Sequence, residues 1–338
     1  MASDIVIGID LGGTNVRAQA YDASGRQAGE YAENPSNAQK GTQAIFDEIV
    51  LTVTQAIDKA SAKPKAVGLA IPGHVDNAAG VVRWAPNFGE TVDGVFRYWQ
   101  DVDVRGPLES RLNLPVVMDN DANLAALGEY RFGSGKDSAK CLVMLTLGTG
   151  VGGGVVMRSE SLYGNVSGRV MLLGGNKGGA ELGHVIINAN GLDCNSGEYG
   201  SIEAYCQRDS IIRRAQHRLM RGRESTLRQL CGGDYGKITP KMISDAASAG
   251  DELAIEVLAE VGTFLGYGIG ALINVFAPDV FAMAGKISLA GDLLLEPARR
   301  AARNVAIPSL YKDCKIVVAE QIEIAGILGA ATLAMEAS

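Results

Sequence analysis

The residues best placed to do chemistry in this chain lie in one acidic cluster and two glycine-rich turns. The cluster is Val117-Met118-Asp119-Asn120-Asp121-Ala122-Asn123. Val116 to Met118 are apolar strand formers, and the residues after it, through Phe132, favour a helix. A strand that ends where a helix starts puts side chains at the carboxyl edge of a sheet, where open α/β folds place ligands. Asp121 there either accepts a proton from a substrate hydroxyl, with Asn120 orienting it, or serves as the N-cap of the helix.

The first turn, Leu11-Gly12-Gly13-Thr14-Asn15, follows an apolar strand over residues 5–10 and precedes another over 16–21. The second, Gly148-Thr149-Gly150-Val151-Gly152-Gly153-Gly154, likewise joins strands over 141–147 and 155–157. Strand–turn–strand excludes the dinucleotide fingerprint and the Walker loop, which both lead into a helix. Gly12 and Gly13 let backbone N–H groups approach an anion, and Thr14 and Asn15 add side-chain donors. Taken alone, the first turn has a second, less favoured reading as a plain hairpin. Its recurrence suggests duplicated halves, each offering a phosphate loop, with Mg²⁺ between them in a phosphoryl transfer.

These turns need sheets and covering helices. Residues 42–60 carry apolar side chains at helical spacing, and 66–71 form a strand that stops at Pro72-Gly73. His74 reads as structural, and Trp84-Ala85-Pro86-Asn87 as a loop with a polar tip. Residues 159–179 read as irregular, and 201–219 as a helix with Arg214, Arg218 and Arg221 on a solvated face. The uncharged run 261–278 is long enough for a membrane span. Its glycines and Asn274 point instead to a buried helix packed through small residues. Strands over 280–283 and 315–318 and a helix over 324–335 complete the chain.

The 338 residues suffice for two cores, and the net charge of −7 argues against non-specific nucleic-acid binding. Five cysteines without a C-x-x-C pair suggest free thiols in a reducing compartment. No secretory signal is read at the start, and the expected setting is cytoplasmic.

With these residues laid out, the chain resembles the ROK family of sugar kinases and sugar-responsive repressors, from Ile5 to Met335. The motifs are Asp10-Leu-Gly-Gly-Thr-Asn15, Pro72-Gly73, Ala85-Pro-Asn87, Asn120-Asp-Ala-Asn123, Leu147-Gly-Thr-Gly-Val-Gly-Gly-Gly154, Glu181-Leu-Gly-His184 and Ile202-Glu203. The resemblance implies an α/β, actin-like (ribonuclease H-like) duplicated ATPase fold, with two lobes and a central cleft. It implies lobes of residues 1–118, joined by a returning helix near 320–338, and 119–319. It makes Asp121 the catalytic base and assigns sugar contacts to Gly73, Asn87, Asn120, Glu181, His184 and Glu203. It places Gly12 to Asn15 and Gly148, Thr149, Gly150 and Gly152 at the phosphates, Gly285 on the adenosine side, and Asp10 near Mg²⁺.

The chain departs from that family in three places. The family commonly binds a structural zinc through the His of Glu-x-Gly-His and three cysteines. Here His184 and Cys194 remain, while Ser196 and Ser201 stand at the other two positions, so no tightly held zinc is expected. The adenosine-side triple glycine reads Ala284-Gly285-Lys286. The segment before Glu181 is longer than in typical members. The expected function is ATP-dependent phosphorylation of a hexose, first of all glucose at the 6-hydroxyl, by a homodimer that binds neither nucleic acid nor membrane. The alternatives are another sugar or a polyol as substrate, or a sugar sensor without activity. The repressor class carries an extra N-terminal helix-turn-helix domain, for which the start of this chain leaves no room.

Overall fold

The computed structural model describes residues 4–136, 139–158, 170–174, 178–194 and 197–337. Its strands, in chain order, are β1 (Ile5–Leu11), β2 (Asn15–Asp22), β3 (Ala32–Pro35), β4 (Val67–Ile71), β5 (His74–Asp76), β6 (Val81–Val92), β7 (Val95–Asp103), β8 (Val116–Asn120), β9 (Cys141–Leu147), β10 (Val151–Arg158), β11 (Val170–Leu172), β12 (Val280–Ala284) and β13 (Lys315–Val318). The α-helices are α1 (Thr42–Asp58), α2 (Arg105–Leu112), α3 (Asp121–Phe132), α4 (Ile202–Cys206), α5 (Arg208–Met220), α6 (Leu227–Leu230), α7 (Pro240–Ser248), α8 (Glu252–Phe276), α9 (Asp292–Val305), α10 (Pro308–Asp313) and α11 (Ala325–Ala337).

Two five-stranded sheets share one plan. The first has the order β3-β2-β1-β4-β8 and the second β11-β10-β9-β12-β13. In each, an antiparallel pair holds the glycine turn, and two parallel strands follow on the other side. The parallel strands β4 and β12 are buried along their whole length and read as unbroken apolar runs, as strands covered on both faces do. The duplication expected from the paired turns is therefore present in the strand order. A third sheet, β5-β6-β7, projects from the first half.

Each large sheet has its own apolar core, one around Ile7, Ile9, Ile49 and Leu69, the other around Val143, Leu145, Val257 and Leu265. Helix α11 returns from the chain end to lie on the first sheet and also packs against α3. Its approach to the sheet depends on missing side chains. A Cβ on Gly68 would stand 1.8 Å from the Ala330 carbonyl oxygen.

Among the described residues, α8 alone is long and apolar enough to cross a membrane. It is a core helix, as its glycines suggest. Gly262 and Gly266 fall one turn apart on the face turned to α9, where Cβ atoms would lie 2.4 Å and 2.3 Å from the Leu294 and Ala298 carbonyl oxygens. All five cysteines are free thiols.

Two local readings need correction. Trp84-Ala85-Pro86-Asn87 is part of strand β6 and not a loop. Ala85 pairs with Trp99 and Gly89 with Tyr98, so residues 86–88 bulge out of an otherwise continuous ladder. Pro86, with no N–H to give, suits such an unpaired position. The arginines of α5 are also not all solvated. Arg214 has only 11% of its side chain exposed, donates to Glu260 Oε1 at 3.0 Å, and stands over the Tyr205 and Phe264 rings. Arg218 reaches the other oxygen of Glu260. Residues four apart share a helix face, and here that face meets α8.

Candidate active site

The acidic cluster lies at the junction of β8 and α3, and the structure divides its labour. Asn120 caps the helix, its Oδ1 accepting from the N–H groups of Ala122 (2.9 Å) and Asn123 (3.2 Å). Asn120 Nδ2 donates to the Gly73 carbonyl at 2.9 Å. Asp119 is buried beneath, accepting from Asn77 Nδ2 (2.9 Å), Asn123 Nδ2 (3.2 Å) and the Asn120 N–H (2.7 Å). Asp121 is thus not the N-cap. It occupies the first helical position, where Oδ1 accepts from the Ala122 N–H at 2.8 Å and Oδ2 takes no hydrogen bond from the described residues.

Burial, with Asp10 and Glu181 nearby, pushes the Asp121 carboxyl up to about 6, against the pull of the Ala122 N–H. A carboxyl in that range is ionised at neutral pH yet basic enough to take a proton in a transition state. Asp10, at the end of β1, is also raised by burial, with Arg17 opposing. Three acidic elements therefore converge on one place: the end of β1, the start of α3 and the turn holding Glu181.

Each glycine turn closes on the N–H of its first glycine, the first turn being one residue longer. Gly12 N–H donates to the Asn15 carbonyl at 2.8 Å, and Gly148 N–H to the Gly150 carbonyl at 2.9 Å. The N–H groups of Gly13, Thr14, Thr149 and Gly150 make no hydrogen bond among the described residues. Each turn therefore presents two consecutive free donors, a concave arrangement suited to phosphate oxygens. Gly285 takes a positive φ of 85° where β12 ends, and a Cβ there would stand 2.2 Å from the Leu147 carbonyl oxygen beside the second turn.

Two residues expected at the phosphates have further partners within the fold. Asn15 begins β2, and its Nδ2 donates to Glu33 Oε1. Gly152 is already within β10, paired with Thr146, and a Cβ on it would meet Thr146 Oγ1 at 2.7 Å and the Ala122 Cβ at 2.9 Å. It is the seat of α3, with no part in the turn. The sequence shows both only as members of a polar or glycine run; pairing decides their use.

Of the expected sugar contacts, Gly73 and Asn120 meet directly. Gly73 has φ of 102°, and a Cβ there would stand 2.4 Å from the Trp84 carbonyl oxygen, which ties the β4–β5 turn to β6. Asn87 is exposed in the β6 bulge. Glu181 precedes the 3-10 turn Leu182–His184, which sits on β10 with Gly183 over the Val151 carbonyl. Burial raises the Glu181 carboxyl, while His184 and His74 lower it. Glu203, on α4, accepts the Val151 N–H at 2.8 Å and the Cys194 thiol at 3.4 Å. Gly150 leaves room for it, since a Cβ there would stand 2.5 Å from Glu203 Oε2.

Three residues of this region are missed by reading motifs alone. Asp119 is hidden beside the more obvious Asp121. His74 stands against Gly178 and near Glu181, although nothing in sequence joins those positions. Glu198 bonds to the His184 ring. The irregular segment expected at 159–179 falls largely outside the described residues, as does Ser196.

The ROK family model matches residues 6–337. A glucokinase of Thermotoga maritima is 32% identical over 332 residues, covering 98% of this chain and 97% of that protein. A xylose repressor of Caldicellulosiruptor bescii is 28% identical, covering 96% of this chain and 76% of the repressor. Among solved structures, a Streptomyces griseus ROK glucokinase in complex with glucose and AMPPNP superposes with a TM-score of 0.79 at 33% identity, covering 98% and 99% of the two chains.

Proposed function

The chain belongs to the ROK family, and from that premise we propose that it is a sugar kinase that transfers the γ-phosphoryl group of ATP to the 6-hydroxyl of glucose. The observation that carries this is Asp121. It is a half-buried carboxylate at a helix start, with one oxygen uncommitted, near two turns with paired free N–H groups. Asp121 takes the hydroxyl proton as the sugar oxygen bonds to phosphorus and the bond to ADP breaks. The N–H groups of Gly13, Thr14, Thr149 and Gly150 receive phosphate oxygens. They are already aimed before charge moves, so little reorganisation is required.

Magnesium fits beside Asp10, a carboxyl whose burial disfavours ionisation and so favours a cation next to it. Bound there with the nucleotide, it would supply positive charge to the phosphates. Gly73, Asn87, Asn120, Glu181, His184 and Glu203 contact the sugar, and Gly285 flanks the adenosine. Asn120 keeps one amide hydrogen for this, because its Oδ1 is spent on the helix cap. The glucose assignment draws support from the glucokinases among the relatives. Lobes of 1–118 with 320–338, and 119–319, draw support from α11 lying on the first sheet. A homodimer rests on the family resemblance, since α8 is spent inside the subunit.

The test is ADP release with Mg-ATP against hexoses, N-acetylhexosamines and inositols. Glucose should be turned over best. Asp121→Asn should lower kcat by about 10²- to 10⁴-fold and leave glucose binding measurable by calorimetry. Binding of a sugar by the wild-type chain without any turnover would favour a sensor, the role of the repressor relative.

A further inference from the structure

The turn carrying Glu181 and His184 lies where the family resemblance implies a structural zinc, and the residues present do not make such a site. His184, Cys194 and Glu203 offer donor atoms within 4.8 Å of one another. That is one nitrogen, one sulfur and one carboxylate, whereas a structural zinc takes four nitrogen or sulfur ligands. Both Glu203 oxygens are already engaged, one by the Val151 N–H and one by the Cys194 thiol. Ser201, at a position where the resemblance implies a cysteine, caps α4 by accepting the Ala204 N–H at 3.2 Å.

We propose that Glu198 does the metal's work, as the residue that positions His184 for the sugar. Its Oε1 is hydrogen-bonded to His184 Nδ1. An ionised carboxylate only accepts, so Nδ1 carries a proton, and in the neutral ring Nε2 then keeps its lone pair. Nε2 is the atom turned towards Glu181, 4.0 Å from its Oε2, and so towards the acidic site. His184 therefore offers the site an acceptor for a hydroxyl hydrogen. This is how a carboxylate fixes the ring of a metal-bound histidine, here with no metal required.

The backbone holds Glu198 in place. Its carbonyl accepts the Cys194 N–H at 2.9 Å, the Gly197 N–H donates to the Cys194 carbonyl at 3.0 Å, and Asp193 pairs with Tyr199. Residues 193–194 and 197–199, tied together in this way, thus set one carboxylate against one imidazole. The two side chains are 34% and 30% exposed, so water reaches the pair only in part.

What Nε2 accepts rests on the sugar-kinase reading; the ring's proton does not, and the experiment separates them. The chain has three histidines, so ¹⁵N–¹H spectra of its imidazoles are assignable with one His184→Gln variant. The wild-type ring should carry its proton on Nδ1, Glu198→Ala should lose that form, and Glu198→Gln should retain it, because an amide oxygen still accepts. Glucose affinity by calorimetry should fall about tenfold in Glu198→Ala, the worth of one hydrogen bond. The KM for ATP should not change. In a His184→Ala background the same substitution should cost nothing further. Protonation of His184 on Nε2 in the wild type, an equal loss with and without His184, or stoichiometric zinc in the purified protein would each overturn the proposal. Failure of the kinase reading would appear instead as absent sugar turnover with the tautomer result intact.

Discussion

The β1–β2 turn and the β9–β10 turn hold the same place in their sheets but differ by one residue in length and in most of their side chains. Each closes on the N–H of its first glycine, which reaches the carbonyl three residues on at Gly12 and two residues on at Gly148, and each leaves two donors unbonded among the described residues. In register, Asp10 of β1 corresponds to Thr146 of β9, since each is the residue before the last of its strand. The first half thus places a buried carboxylate beside its turn, and the second a small hydroxyl. The strands that leave the turns differ as well. β2 departs with Asn15, Val16 and Arg17, while β10 departs with Val151 followed by three glycines in succession. Two of those glycines, 152 and 154, make room for α3, which carries Asp121. Duplication supplied two turns with unbonded donors; divergence gave one a neighbouring carboxylate and the other a berth for the helix that carries Asp121.

That contrast can be broken most severely at Gly152. Gly152→Leu pushes its side chain into Ala122 and Thr146, which should cost about 1–3 kcal/mol of stability by overpacking. Displacing α3 by even an ångström should lower kcat about 100-fold, read by steady-state kinetics alongside a denaturant melt. Gly13→Ala tests the other side of the comparison. Nothing lies within 4 Å of a Cβ there, so stability should move by less than about 0.5 kcal/mol. The KM for ATP should nevertheless rise about tenfold, as a methyl group crowds the phosphates. A melting midpoint that falls as far as that of Gly152→Leu would mean the two turns are not divided in this way.

A smaller effect should follow from Asp10. The base must be ionised, so kcat should rise with pH through about 6 and then level off. Asp10 helps to hold Asp121 up, and Asp10→Asn should therefore move that acidic limb to lower pH, beside any loss from weaker magnesium binding. The same shift has a stability consequence. Between its unfolded value, near 3.8, and about 6, the folded state holds the Asp121 proton more tightly than the unfolded chain does. Its contribution is therefore greatest below the unfolded value and is lost as pH rises through 6. Asp121→Asn should melt higher than the wild type at pH 7 and by much less at pH 4, in paired thermal melts.

Several features were legible because they are local. The alternation of apolar runs with glycine turns gave the strands, and the recurrence of the pattern gave the duplication. The small residues along residues 261–278 gave a close-packed core helix, because spacing of four on a helix fixes which face they share. The readings that failed depended on partners distant in sequence. Arg214 was drawn inward by Glu260. The 84–87 segment was held in a ladder by β7.

The sequence by itself determined the two-turn frame, the family and the identity of the candidate base, because these are matters of residue type at short range. Tertiary structure decided the rest. It gave the capping task to Asn120 and so left Asp121 an uncommitted oxygen. It buried that oxygen beside Asp10 and Glu181, which lie 111 and 60 positions away along the chain. It also set Glu198 against His184. Hydrogen bonds and desolvation act through space over a few ångströms, and only the folded chain fixes which groups come that close.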